Sequence, residues 1–255
     1  MSTNKKHTHF DGNDMALADV LNRVQQISTE NEQLVRKLAD GEYRFRHLAR
    51  AVWRVQEEER RNIALELHDG IGQVLTALIN HLQHSAGDVT EPVDQQSVEL
   101  ATSALSEVRR MSRALRPSVL DDLGLESALK WLARTTGEAS GLEVDMQWPD
   151  DEIDVDKQTE TLVFRIAQEA LTNIVKHAEA TRARIIVGHD HGRIRVSITD
   201  NGCGFDAEDV LTASDRGFGA RGMRDRAELF GGRLHIESGT GEGTSVILEL
   251  PEGTA

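Results

Sequence analysis

An apolar side chain returns every three or four positions from Leu17 to Val55, and that spacing commits the start of the chain to one long helix. Leu17, Val20, Val24, Ile27, Asn31, Leu34 and Leu38 alternate three and four apart, and the register runs on through Gly41 to Phe45, Leu48, Val52 and Val55. A heptad repeat sustained this long predicts a coiled coil over residues 15–56, with an amphipathic helix packed on its own chain as the alternative. Asn31 falls at a core position, where a polar side chain fixes register and a two-stranded state. Residues 1–14 are polar and read as a disordered tail without the apolar centre of a leader peptide. After Val55 the pattern slips, because Val55, Glu59 and Ile63 are spaced four and four. Such a stutter predicts a change of winding where a two-helix coil opens into a wider bundle.

Residues 57–125 read as a helical hairpin. Ile63, Leu67, Ile71, Leu75 and Leu78 keep a helical period, and His68 and Asp69 lie just off that apolar line. Gln73 follows more than a turn later. Gly87, Asp88, Thr90 and Pro92 predict a turn, and a second helix carries Val98, Leu105, Val108, Met111 and Leu115 up to Pro117. A hairpin buries only one face of each helix, so two chains joined as a four-helix bundle are expected. The break from Leu115 to Leu125 connects to the next domain, and Pro117 to Gly124 within it is the expected hinge.

Residues 126–255 read as an α/β domain. Helices are expected over 126–139, 159–177 and 223–230, and strands over 142–148, 184–189, 193–200, 233–237 and 244–250. The elements do not strictly alternate, so the expected fold is α+β, with a two-layer α/β sandwich on a mixed sheet. His189 and His191 flank the expected hairpin turn and are not read as metal ligands. A net charge of −14 argues against nonspecific nucleic-acid or anionic-membrane binding. The single cysteine, Cys203, excludes an internal disulfide framework. No apolar run is long enough to span a bilayer, so a cytoplasmic location is expected.

Four short motifs carry the chemistry of this domain. Glu169, Asn173 and Lys176 recur at i, i+4 and i+7 on a polar helix face, where a carboxylate and an amide oxygen suit Mg²⁺ and an ammonium suits phosphate. Asp200-Asn201-Gly202-Cys203-Gly204 places a carboxylate at a strand end, with glycines that let backbone approach a flat ligand. Cys203 between them reads as a small filler. Gly217-Phe218-Gly219-Ala220-Arg221-Gly222 has the literal GxGxxG spacing, but loop residues precede it where a dinucleotide-binding motif wants a strand. Glycines before a helix still suit phosphate oxygens. Gly239-Thr240-Gly241-Glu242-Gly243-Thr244 opens the last strand, with Thr244 offering a hydroxyl.

From about residue 57 to residue 253 the chain resembles the bacterial two-component sensor histidine kinases, above all those with a dimerisation domain like that of the nitrate/nitrite sensors. The resemblance rests on the Leu-His-Asp-x-x-x-Gln block, the Leu-Arg-Pro connection and the order of the four motifs. It implies a homodimer, an ATP-binding domain of the Bergerat type, and ATP and Mg²⁺ as ligands. His68 is then the phosphorylated residue, Asp69 the acid that orients it or takes its proton, and Gln73 the residue that positions water in a phosphatase reaction. Asn173 resembles the metal ligand, with Glu169 assisting through water and Lys176 near phosphate. Asp200 resembles the adenine-recognising carboxylate, with Gly202 and Gly204 beside the nucleotide. Gly217, Gly219 and Gly222 resemble the lid, with Asp206 to Arg216 as its short remainder, and Thr244 completes the pocket. The implied partner is a response regulator with a DNA-binding output. No sensory region is recognisable, so an upstream sensor protein is expected to supply the signal.

Phosphoryl transfer asks a protein mainly for positioning and charge neutralisation. An anti-sigma-type serine kinase on the same fold would not need the His-Asp-x-x-x-Gln block. A non-enzymatic coiled-coil scaffold would not need intact nucleotide motifs.

Overall fold

The structure is a computed structural model and describes residues 12–84, 95–115, 118–150, 153, 155–190, 192–205 and 217–251. The expected turn from Gly87 to Pro92, Pro117 of the expected hinge, His191, the stretch from Asp206 to Arg216 and residues 1–11 of the expected tail lie outside the described residues. The chain divides into two units, Met1–Ala51 and Val52–Ala255. The first consists of the opening part of helix α1 (Gly12–Leu65). Its heptad residues are uncovered in the single chain: Val24, Ile27, Leu34, Leu38, Phe45 and Leu48 are all exposed.

In the second unit, the end of α1 passes through a π-helical turn, Glu66–Ile71, into α2 (Gly72–His84). The sequence period predicts an uninterrupted α-helix here. The π turn admits one extra residue, which a three- or four-residue apolar spacing does not reveal. Helix α3 (Gln95–Leu115) packs back along this helix. Ala101 and Leu105 are buried there, and the Ser112 hydroxyl donates to the Ala64 carbonyl at 2.9 Å. Ile63, Ile71, Val74, Leu78, Leu100 and Met111 remain exposed. Much of the predicted apolar line is therefore bare in one chain.

Helix α4 (Ser118–Ser140) is two helices merged at a kink, where Gly124 has φ 76° and ψ −177°. That backbone conformation belongs essentially to glycine. Strand β1 (Glu143–Gln147) follows, then α5 (Lys157–Asn173). Asp156 caps α5: its Oδ1 accepts from the N–H groups of Gln158 and Thr159 at 2.7 and 3.0 Å. A second π turn, Ile174–Ala178, extends α5 and ends at Glu179, which has a left-handed φ of 51°. Strands β2 (Arg182–Asp190) and β3 (Arg193–Asp200), helix α6 (Gly217–Leu229), and strands β4 (Arg233–Gly239) and β5 (Gly243–Pro251) complete the fold.

The sheet order is β1-β2-β3-β5-β4, with β1 parallel to β2 and the remaining pairs antiparallel. One face is covered. Ile185, Ile194, Val196, Ile198, Leu248 and Leu250 point inward against Leu162, Val163, Ile166 and Leu171 of α5. Each fully buried Leu or Ile contributes roughly 1.5–3 kcal/mol by leaving water. Outer residues are polar except Ile186 and Ile247, and Thr199 and Ser245 share a hydroxyl hydrogen bond of 2.9 Å across β3 and β5. The fold class matches the sequence expectation: a helical N-terminal region, then a two-layer α/β domain on a mixed sheet.

Replacing Gly124 by Ala should lower stability by about 1–3 kcal/mol, because a Cβ is strained at that backbone conformation. Urea denaturation followed by circular dichroism checks this. An unchanged midpoint would contradict the kink.

Candidate functional site

The C-terminal end of β3 gathers the four motifs. Asp200, the last residue of β3, is 5% exposed, and its Oδ1 accepts from the Gly202 N–H at 2.7 Å. Burial pushes its carboxyl above the ordinary aspartate range, while hydrogen bonds from the backbone N–H groups of Gly202 and Thr244 pull it back down. Gly202 abuts the end of the α5 extension so closely that a Cβ there would lie 2.2 Å from the Ala178 carbonyl oxygen. The next N–H, that of Cys203, donates to the same carbonyl at 2.8 Å.

The β4–β5 turn closes the other side. Gly204 has φ +59°, and a Cβ on it would meet the Gly239 carbonyl oxygen at 2.0 Å. A Cβ on Gly243 would meet the Asp200 carbonyl oxygen at 2.1 Å. Ser238, in register with Thr244, accepts from the Phe205 N–H at 2.9 Å, donates to the Gly243 carbonyl at 2.9 Å and lies 3.1 Å from the Thr244 hydroxyl. Sequence reasoning missed Ser238, although hairpin pairing across Gly239–Gly243 sets it opposite Thr244. It also missed the structural role of Asn201. That side chain accepts from the N–H groups of Thr181 and Arg182 at 3.0 and 2.9 Å and ties the loop to the start of β2.

Glu169 and Asn173 are half-buried near the end of α5. A Cβ on Gly219 would lie 2.8 Å from Glu169 Oε1 and 3.6 Å from Asn173 Nδ2, so the start of α6 faces them directly. Helix α6 begins at Gly217, whereas the sequence reading started it at Met223. All three motif glycines therefore lie in the first turns of a helix rather than in a loop before it. Lys176 is exposed within the second π turn, so α-helical spacing does not keep it in line with Glu169 and Asn173. Cys203 is exposed, not a core filler, and its thiol donates to the His177 carbonyl at 3.5 Å. Arg226, on α6, is the other residue the sequence reading passed over. Its guanidinium lies beside Gly222, its Nε is buried without a hydrogen-bond partner among the described residues, and burial pushes its pKa down against the pull of Glu169.

The donor set fits a magnesium nucleotide. Carboxylate and amide oxygens on adjacent turns of α5 are the ligands a hard cation takes. Gly202 and Gly204 let the backbone of three segments close tightly around the buried Asp200 carboxylate. Amide groups in the first turn of a helix are unpaired along its axis and suit phosphate oxygens.

His68 is not part of this assembly. It is exposed and lines a groove of about 340 Å³ with Gly72, Gln73, Thr76, Ala77, Asn80, Val108 and Arg109, all from the hairpin. Asp69 is exposed beside it. Gln73 and His68 thus share one groove, and among the described residues none of the sheet domain lines it.

Comparison with known proteins matches both regions. Residues 158–254 match the family described as histidine kinase-, DNA gyrase B- and HSP90-like ATPase, and residues 59–120 match a family described as histidine kinase. The sensor histidine kinase MctS of Rhizobium johnstonii is 35% identical over 85% of this chain and 48% of its own length. The signal transduction histidine-protein kinase/phosphatase DegS of Brevibacillus brevis is 34% identical over 77% of this chain and 52% of its own. UhpB of Salmonella typhimurium, also a signal transduction histidine-protein kinase/phosphatase, is 33% identical over 90% of this chain and 45% of its own. The chain spans about half the length of these curated relatives.

Gly202→Ala and Gly204→Ala should each weaken binding of a fluorescent ATP analogue by about tenfold or more, equivalent to about 1.4 kcal/mol. Gly188→Ala, where a Cβ meets nothing within 4 Å, should leave binding unchanged. Fluorescence titration checks all three.

Proposed function

The chain belongs to the histidine kinases, and from that premise we propose that it transfers the γ-phosphoryl group of ATP to His68 and then to an aspartate of a response regulator. The observation that carries this reading is the start of α6 packed at Gly219 against Glu169 and Asn173, and the end of the α5 extension packed at Ala178 against the Asp200–Gly204 loop, on the same chain as an exposed His68.

Each residue has a role in that reaction. Ionised Asp200 accepts a hydrogen bond from the adenine amino group. Gly202 and Gly204 let the backbone close on the ring, and Thr244 completes the pocket floor through its hydrogen bonds to Asp200 and Ser238. Asn173 would hold Mg²⁺ with Glu169 assisting, and Lys176 would supply positive charge for the phosphates from the exposed π turn. When bound, Mg²⁺ neutralises charge on the phosphate oxygens. Backbone N–H groups at Gly217 and Gly219, in the first turn of α6, would suit those oxygens, and Gly222 would act by letting the helix approach closely.

A lone pair on the His68 imidazole forms the new N–P bond as the bond from the γ-phosphorus to the bridging oxygen breaks and ADP leaves. Asp69 orients the ring and takes its proton. In the reverse direction, Gln73 positions the water that removes phosphate from the regulator. The exposed heptad stripe of α1 and the bare apolar residues of the hairpin suit a second copy of the chain, which makes a homodimer. No described helix is long and apolar enough to cross a membrane. A cytoplasmic kinase that takes its signal from an upstream sensor protein and pairs with a DNA-binding regulator fits this arrangement.

Two measurements test the reading. Incubation with γ-labelled ATP and Mg²⁺ should give acid-labile, alkali-stable label that disappears in His68→Gln and Asn173→Ala. Gln73→Ala should still label but remove phosphate from the regulator more slowly, and equal removal rates would refute its role. The second exploits the raised pKa of Asp200. As pH falls, this carboxyl gains its proton earlier than an ordinary aspartate. It then donates rather than accepts, which disfavours the amino group of ATP and favours the 6-oxo group of inosine triphosphate. The ratio of ATP to inosine triphosphate affinity should therefore fall as pH is lowered, while phosphate titration, common to both ligands, cancels. A ratio independent of pH would remove Asp200 from adenine recognition.

A further inference from the structure

Trp53 and Glu57 lie one turn apart on the last part of α1, so they share a face. Both are buried, at 8% and 6% exposure, although the residues around them on the helix are exposed. Trp53 meets Phe230, after α6, edge to face with ring centroids 5.0 Å apart. Glu57 meets Arg165 of α5. Arg165 Nε donates to both carboxylate oxygens, at 3.1 and 2.9 Å, and its Nη2 donates to Oε2 at 2.8 Å. The same guanidinium reaches the Leu115 carbonyl at the end of α3, at 2.5 Å, and Gln168 Oε1 at 2.7 Å. Arg60 and Arg226 also face Glu57. One arginine thus ties α5 to α1 and to the end of α3, immediately before the connection to α4.

Arg165 precedes Glu169 by one turn and Asn173 by two on the same helix, so this contact grips the element that carries the metal ligands. Glu57 lies eleven residues before His68, roughly 16 Å along a helix. In this arrangement His68 is exposed and its groove is lined by the hairpin alone. Transfer needs the reacting atoms about 3–3.5 Å apart. The docked sheet domain is therefore held at Trp53 and Glu57 without engaging the imidazole.

We propose that Trp53 and Glu57 form a latch that holds the ATP-binding domain against the signalling helix in a resting position, and that autophosphorylation requires Arg165 to let go of Glu57. The inference rests on the reading of His68 as phospho-acceptor. A buried ion pair suits a latch: its geometry is specific, yet both charges recover their hydration when it opens, so little net free energy opposes release. Losing one partner leaves the other charge buried and unpaired, which favours the open state. Because the grip is on α1, a rotation of that helix would withdraw Trp53 and Glu57 together.

The test uses the full chain in a Trp131→Phe, Trp148→Phe background, which leaves Trp53 as its only tryptophan. Glu57→Gln should red-shift Trp53 emission, raise the initial rate of His68 labelling about five-fold or more, and leave ATP-analogue affinity unchanged. Exchanging the charges, Glu57→Arg with Arg165→Glu, should return both readouts toward the parent values. Unshifted Trp53 emission in Glu57→Gln overturns the latch, as does a shift without a faster rate. Absence of label in the parent chain would instead overturn the kinase reading, and Trp53 emission would then decide the docking by itself.

Discussion

Backbone approaching backbone at distances that admit no side chain is the constraint on which the sheet domain depends. At the end of β3 three segments meet: the loop through Gly202 and Gly204, the carbonyl of Ala178 closing the α5 extension, and the β4–β5 turn at Gly239 and Gly243. The Cys203 N–H bonded to Ala178 and the Gly241 N–H bonded to the Cys203 carbonyl at 2.6 Å lace them together. That lacing encloses Asp200, and the start of α6 lies against Glu169 and Asn173 at Gly219. The glycines are needed first for contact within the fold.

Charge is treated differently in the two halves. On the stalk, Arg110 pairs with Glu107 and Arg46 with Glu42 at the surface, contacts that contribute little to stability. In the sheet domain and where it meets α1, Asp200, Glu57, Arg165 and Arg226 are drawn from water, and each must find its partner in a fixed place. Desolvated charge fixes geometry better than it adds stability.

Much of the fold could be read from the residues because its signals are local. Alternating Ile194, Val196 and Ile198 announce β3, the i, i+4 spacing of Glu169 and Asn173 gives their shared face, and the Asp190–Gly192 stretch marks the hairpin. The two π turns were invisible, since an inserted residue leaves no mark on a spacing of three or four. The start of α6 was misplaced because three glycines within six residues argue locally for loop, and the packing of α6 beside Glu169 overrides that preference. The pairing of Glu57 with Arg165 could not be read at all. One is a charge on an apparently solvated helix face, the other a basic residue inside an apolar helix, and 108 positions separate them.

His68 belongs to the first π turn, Glu66–Ile71. Such a turn stores a surplus residue, and tightening it to α-helical winding would rotate everything before it by about 100° and advance it by about 1.5 Å relative to everything after. The imidazole rides on the gear tooth itself, so torque arriving along α1 would re-aim that ring before any of it reached α2.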